Sequence, residues 1–169
     1  MKTAILIDGS NTYMATRNVF EIDWKIFRKY YSKVFGPCTI FRYYSAILTV
    51  DGHSELRPLI DWLDYNGYVV IQKPTKNFIN AETGITKIKG DMDVEMVVDM
   101  LKLAGKIDHI ILYTGDGDFV PAVHAVQSCG VFVTVVSAMT VAADELRRAA
   151  DEYIDLAEMR MEIGRARST

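Results

Sequence analysis

Four aspartates stand where carboxylates can do chemistry in this chain. Asp116 and Asp118 lie in Tyr113-Thr114-Gly115-Asp116-Gly117-Asp118-Phe119, directly after the apolar run Ile110-Ile111-Leu112. Asp8 follows the first apolar run, in Asp8-Gly9-Ser10-Asn11. Asp93 lies in Gly90-Asp91-Met92-Asp93-Val94, at the head of a helical pattern. Carboxylates at strand ends, with no Ser–His or Cys–His nucleophilic pair apparent, point to a divalent cation and phosphate chemistry. Mg²⁺ and Mn²⁺ suit such ligands because both prefer oxygen donors. Each acid also has an ordinary reading. Asp, Gly, Ser and Asn favour turns, which accounts for Asp8 and Asp116. Acids in a first turn, such as Asp91, Asp93 and Glu95, complement the helix dipole. Asp118 suits the N-cap of the next helix. The conjunction resists that explanation, because carboxylates gathered at one sheet edge repel one another unless a cation belongs among them.

Elements must bring these acids together. Runs that are apolar almost throughout predict strands at Thr3–Ile7, Thr39–Tyr44, Tyr68–Ile71, His109–Tyr113 and Val131–Val136, as for parallel strands covered on both faces. Helices are expected at Asp23–Val34, Ser54–Asn66, Asp91–Ala104, Phe119–Ser128 and Ala142–Arg160. Gly67 and Gly130 would close two of them and Gly36-Pro37 would stop another. The alternation predicts a three-layer α/β domain with a mostly parallel sheet of about five strands. Ligands of such sheets bind at the carboxyl ends of the strands. A crossover helix runs antiparallel to the strand it feeds, so its first turn, with Asp93, falls at that edge. On the helical wheel Val94, Val97, Val98, Leu101 and Ala104 form the expected buried stripe, with Asp93 at its margin. Asp99, further along the axis, reads as a surface acid with Lys102 as partner.

The polar stretch 73–90 interrupts the alternation and reads as a hairpin or flap before that crossover helix. Its Lys73, Lys76, Lys87 and Lys89 suit the guiding of a phosphate backbone as well as they suit a solvated hairpin. Phe78 and Tyr13 could stack on a base, although packing is the commoner use of such residues. His53, His109 and His124 read as structural.

The chain has 169 residues, half of them hydrophobic, and a net charge of −3. That is enough for one domain, expected over 1–160 with 161–169 as a frayed tail. There is no global basic footprint for non-specific DNA binding. No apolar run is long enough to span a membrane, and the N-terminus turns acidic too early for a signal peptide. Cys38 and Cys129 lack metal-ligand spacing and read as reduced core thiols, which suits a cytoplasmic protein.

Taken together, Asp8-Gly9-Ser10-Asn11, Lys89-Gly90-Asp91-Met92-Asp93-Val94, Asp99 and Gly115-Asp116-Gly117-Asp118-Phe119-Val120-Pro121 resemble the NYN domain, and within it the LabA-like branch. The NYN domain belongs to the PIN-like nuclease group. The resemblance runs from Lys2 to about Leu156, with the motifs in the family's order and spacing. It implies a Rossmann-like sheet of central order 3-2-1-4-5. It implies a metal-dependent ribonuclease, with Mg²⁺ or Mn²⁺ held by Asp8, Asp93, Asp116 and Asp118; the expected partner is RNA, single-stranded. Asn11 would orient a phosphate or a water at the metal. Asp99 matches a recurrent family acid, and Asp91 stands close enough in sequence to supplement Asp93. With Ser10 and Thr114 these form a second tier.

Three other readings differ in their demands. A catalytically inactive NYN module would bind RNA or a regulatory protein partner. A haloacid-dehalogenase-type phosphatase needs an acid two residues after its aspartyl nucleophile, where this chain has Ser10. A metal-dependent adhesion-type site, with Asp8, Ser10, Thr12, Thr114 and Asp116, would leave Asp93 and Asp118 without roles. A homodimer through Ala142–Arg160 is a further partner the sequence allows, with core packing the first expected use of that segment. No membrane partner is expected.

Overall fold

The computed structural model describes residues 1–47, 55–74, 76–79, 86–89 and 91–165. In chain order the strands are β1 (Thr3–Asp8), β2 (Ile40–Ile47), β3 (Val69–Pro74), β4 (Lys76–Ile79), β5 (Thr86–Lys89), β6 (His109–Tyr113), β7 (Phe132–Ser137) and β8 (Glu152–Asp155). The helices are α1 (Gly9–Thr16), α2 (Trp24–Phe35), α3 (Arg57–Tyr65), α4 (Asp93–Ala104), α5 (Val120–Ser128), α6 (Asp144–Ala149) and α7 (Arg160–Ile163). Short 3₁₀ turns at Gly117–Phe119 and Leu156–Met159 lead into α5 and α7.

The sheet runs β3-β2-β1-β6-β7-β8 with every pairing parallel. Alternation of side chains across it explains why the strands are apolar throughout. Ala4, Leu6, Ile110, Leu112, Val133 and Val135 pack on one face, against Met96 and Met100 of α4 and Val123 and Val126 of α5. Ile5, Ile7, Ile111, Tyr113 and Val136 pack on the other, against Phe27 and Tyr31 of α2, Ile60 and Leu63 of α3, and Ile163 of α7. The second face is aromatic: Tyr31 and Tyr113 share a buried hydroxyl–hydroxyl hydrogen bond of 2.6 Å, and Phe27 packs obliquely on both rings. Asp23 caps α2 by accepting the amides of Lys25 and Ile26 at 3.0 Å, and Gly36, Gly67 and Gly130 take positive φ where helices end.

The expected central order is present, extended by a sixth strand. β8 replaces the middle of the expected helix Ala142–Arg160. The apolar spacing there does suit a helix, but α6 ends at Ala149 and Asp151 turns the chain back to the sheet. Its carboxylate accepts the amide of Val133 at 2.8 Å and the side-chain amide of Gln127 at 3.0 Å. Pairing 152–155 with β7 then satisfies backbone groups that would otherwise be an open edge. The tail also differs. Ile163 is fully buried, Gly164 bridges to Ile22, and Arg165 pairs with Glu21, so 161–165 is docked rather than frayed. Residues 166–169 lie outside the described residues.

The expected flap is the antiparallel ribbon β4–β5, in which Lys76 pairs with Lys89 and Phe78 with Lys87. The wheel of α4 is rotated from expectation. Met96, Met100, Leu103 and Ala104 form its buried side, while Val94, Val98 and Leu101 face solvent. Long flexible methionines fill the gap over the sheet where β-branched valines were expected. Cys38 and Cys129 are exposed, not core thiols.

Candidate metal centre

Asp8 ends β1, level with Tyr44 of β2, and its side chain starts α1. The residues that read as a turn are therefore helix-capping residues. One Asp8 oxygen, Oδ1, accepts the Asn11 amide and the Ser10 hydroxyl, each at 3.0 Å, and the other accepts the Thr114 hydroxyl at 3.3 Å. Burial raises the Asp8 pKa, opposed by these hydrogen bonds and reinforced by the charge of Asp116. Gly9 lets the helix start here, because a Cβ would lie 2.7 Å from the Tyr43 hydroxyl.

The second segment follows β6. Thr114 is buried and accepts the Asp116 amide at 3.3 Å, and the Gly115 amide donates to Asn11 Oδ1 at 2.8 Å. Asn11 thus ties α1 to the loop after β6, with its carbonyl oxygen engaged by backbone. Gly115 is held between neighbours: its carbonyl accepts the Ala143 amide at 2.8 Å, and a Cβ there would meet Ser137 Oγ at 2.6 Å and Ala142 Cα at 2.9 Å. Asp116, not Asp118, caps the turn that follows, accepting the Asp118 amide at 2.9 Å. The side chain of Asp118 is freed from the capping role that its position suggested.

The third segment is the first turn of α4, set at the same edge because that helix feeds β6. Carboxylate oxygens of Asp93, Asp116 and Asp118 lie within 4.8 Å of one another. Asp93 feels the crowding most. Its pKa is pushed up to about 6, first by burial and then by the charges of Asp116, Asp8, Asp91 and Asp118. Three acids from two segments converge; Asp8, expected as a fourth ligand, is not in this trio, although its charge acts on Asp93 and that of Asp116 acts on it.

A family model of the NYN domain matches residues 2–157. The chain belongs to the NYN domain family. It is 32% identical to the low amplitude and bright protein LabA of Synechococcus elongatus, over 94% of this chain and 86% of that protein. It is also 32% identical to the uncharacterized protein MJ0482 of Methanocaldococcus jannaschii, over 93% of this chain but only 56% of that longer protein. The crystal structure of VPA0982 from Vibrio parahaemolyticus, described as a protein of unknown function, has the same fold. Its TM-score is 0.71 at 26% identity, with 92% of each chain covered.

The donor set of this NYN domain fits a hard divalent cation, since every converging group is a carboxylate oxygen. The trio's oxygens, all within 4.8 Å of one another, are near enough for one such cation to reach all three. Other expected site residues are placed differently. Asp99 lies two turns along α4 and accepts from Arg42 Nη1 and from the Tyr44 hydroxyl at 2.8 Å, so its partner is not Lys102 and it stands outside the trio. Asp91 is exposed and acts on Asp93 through charge alone. Lys73 pairs with Glu95 at 3.0 Å, which offsets its charge. The side chains of Lys76, Phe78, Lys87 and Lys89, and all of His53, lie outside the described residues. His109 is buried against Thr134 at 2.8 Å with its pKa lowered chiefly by burial, while His124 is exposed. Glu145 was not singled out from sequence. A Cβ on Gly117 would lie 2.5 Å from its Oε1, so α6 delivers a further acid to the loop holding Asp116 and Asp118. Nothing local in the sequence links residues so far apart.

Proposed function

We propose that this NYN domain is a metal-dependent ribonuclease that hydrolyses phosphodiesters of single-stranded RNA, with Asp8, Asp93, Asp116 and Asp118 as its acidic centre. The observation that carries this reading is the convergence of three carboxylates at the carboxyl edge of the sheet, one with its pKa raised to about 6. Burial first and the neighbouring charges second disfavour that carboxylate, and a bound Mg²⁺ or Mn²⁺ would offset its charge. Bound there, such a cation supplies Lewis acidity towards the scissile phosphate and lowers the pKa of an attacking water. Asp93, Asp116 and Asp118 would hold it. Asp8 is not one of the trio, and its carboxylate is fixed in place by Ser10, Asn11 and Thr114. Asn11 positions the Gly115 loop rather than the substrate. Membership of a PIN-like nuclease group supports the same chemistry.

One feature favours a second reading. Both Asp8 oxygens are already engaged by protein donors, as in a structural cap. In an RNA-binding module without turnover the same acids would bind metal without cleavage. Purified protein supplied with Mn²⁺ and labelled single-stranded RNA separates the two. Cleavage by wild type that disappears in Asp116→Asn and Asp8→Asn is the expected result. Cleavage that persists in both variants would mark a contaminant, and RNA binding without cleavage across several divalent metals would select the second reading.

A further inference from the structure

Helix α1 carries an outward face that the acidic centre does not use. Gly9, Thr12, Ala15 and Thr16 are its buried side. At about 100° per residue, Ser10, Tyr13, Met14 and Arg17 fall together on the opposite side. Tyr13 is 65% exposed and Met14 49%, with Ser10 and Arg17 exposed beside them. An aromatic ring left this open is not packing the core. Arg17 enters none of the ion pairs among the described residues.

This face begins at the acidic centre. The Ser10 hydroxyl donates to Asp8, Asp8 caps α1, and Asn11 holds the Gly115 amide. The helix is therefore fixed in register with the aspartates. From Asp8, Tyr13 lies about 7 Å along the helix and Arg17 about 13 Å, from the rise per residue. Hydroxyl, aromatic ring, thioether and guanidinium follow one another away from the carboxylates with no acid among them.

We propose that this face is a track for single-stranded RNA running from the metal centre, with a base stacked on Tyr13 beside Met14 and a backbone phosphate paired with Arg17. The choice of RNA rests on the nuclease reading above. The choice of a single strand rests on the ring, since a base can stack on Tyr13 only when it is not stacked within a duplex. A guanidinium with no ion-pair partner among the described residues suits a phosphate, which it can bind through two parallel hydrogen bonds. A chain with net charge −3 must attract a polyanion locally, and Arg17 supplies that attraction beside a cluster of acids.

Anisotropy of a short fluorescein-labelled oligouridine, measured with the full chain in EDTA, tests the track without turnover. Y13A should lose roughly tenfold in affinity and Y13F should retain it. R17A should weaken binding and flatten its salt dependence. Y65A is the control: Tyr65 is 89% exposed but ends α3, at the opposite edge of the sheet. In Mn²⁺, Y13A should raise KM while leaving kcat unchanged, with no change in Tm. Equal losses in Y13A and Y65A, unchanged affinity in Y13A, equal competition by an RNA duplex, or no binding by wild type would each overturn the track. Tyr13-dependent binding without cleavage in Mn²⁺ would remove the nuclease reading and keep the track. Cleavage with a KM indifferent to both Y13A and R17A would do the reverse.

Discussion

Asp93 is held in a position where its charge costs folding free energy. Its folded pKa, about 6, lies above the 3.8 usual for an aspartate. A group raised in this way binds protons more tightly in the folded state. Its favourable contribution is complete below about pH 4 and is lost as pH rises through about 6. The metal-free protein should therefore lose stability over that window, by about 1–2 kcal/mol after solvent screening. Asp93→Asn removes a charge that burial and then the neighbouring acids disfavour, so metal-free D93N should melt above wild type at pH 7. Adding Mn²⁺ should reverse that order, because only wild type gains from binding. Melting both proteins at pH 4.5 and 7, with and without Mn²⁺, checks each sign; a metal-free D93N less stable than wild type at pH 7 would contradict the raised pKa. Protons and metal compete for the same oxygens, so Mn²⁺ affinity measured by calorimetry should fall steeply below pH 6.

At the scale of elements, the acids depend on how α1 and the loop after β6 are fastened together. Gly9→Ala would press a methyl to within 2.7–2.8 Å of the buried Tyr43 ring, and should cost on the order of 1–3 kcal/mol. Gly105→Ala, with nothing within 4 Å of its Cβ, is the matched control and should leave the urea midpoint within error. Asn11→Ala would leave the buried Gly115 amide without its acceptor, at about 1–3 kcal/mol, and should lower cleavage by loosening Asp116. Much of this scaffold is legible in the sequence. The parallel strands declare themselves because two buried faces demand continuous apolar runs. The motif acids declare their sheet edge because strand ends and a crossover helix leave no other place. Other features depend on contacts between distant segments. α1 is hidden in residues that serve turns and caps alike, and only the bond from Asp8 to the Asn11 amide selects the helix. The rotation of α4 follows from which side chains fill the space above β1 and β6, which helical periodicity alone does not determine. Asp99 finds Arg42 and Tyr44 across 57 and 55 residues of chain, a pairing no local pattern announces.

The whole molecule extends beyond the part by which its family is recognised. The NYN match ends at residue 157, yet the packed structure continues through Arg165. After β8 the chain crosses to the face covered by α2, where Leu156, Met159 and Ile163 are buried together. Gly164 bridges to Ile22, the Asp23 amide donates to the Ile163 carbonyl at 2.9 Å, and the Arg165 amide donates to the Glu21 carbonyl at 2.7 Å. This segment closes the layer of α1, α2 and α3 over β1 and β6, directly behind the strand end that presents Asp8. Deleting residues 158–169 removes the Met159 and Ile163 side chains from that core and should cost about 3 kcal/mol or more. Ile163→Ala alone should cost about 2–4 kcal/mol, whereas Met161→Ala, at a residue 89% exposed, should cost almost nothing. Because α7 packs against α2 rather than against the acids, Ile163→Ala should reduce the urea midpoint while leaving the Mn²⁺ affinity of the folded protein intact. Loss of metal affinity in proportion to the loss of stability would mean instead that this C-terminal clasp and the acidic edge form one cooperative unit.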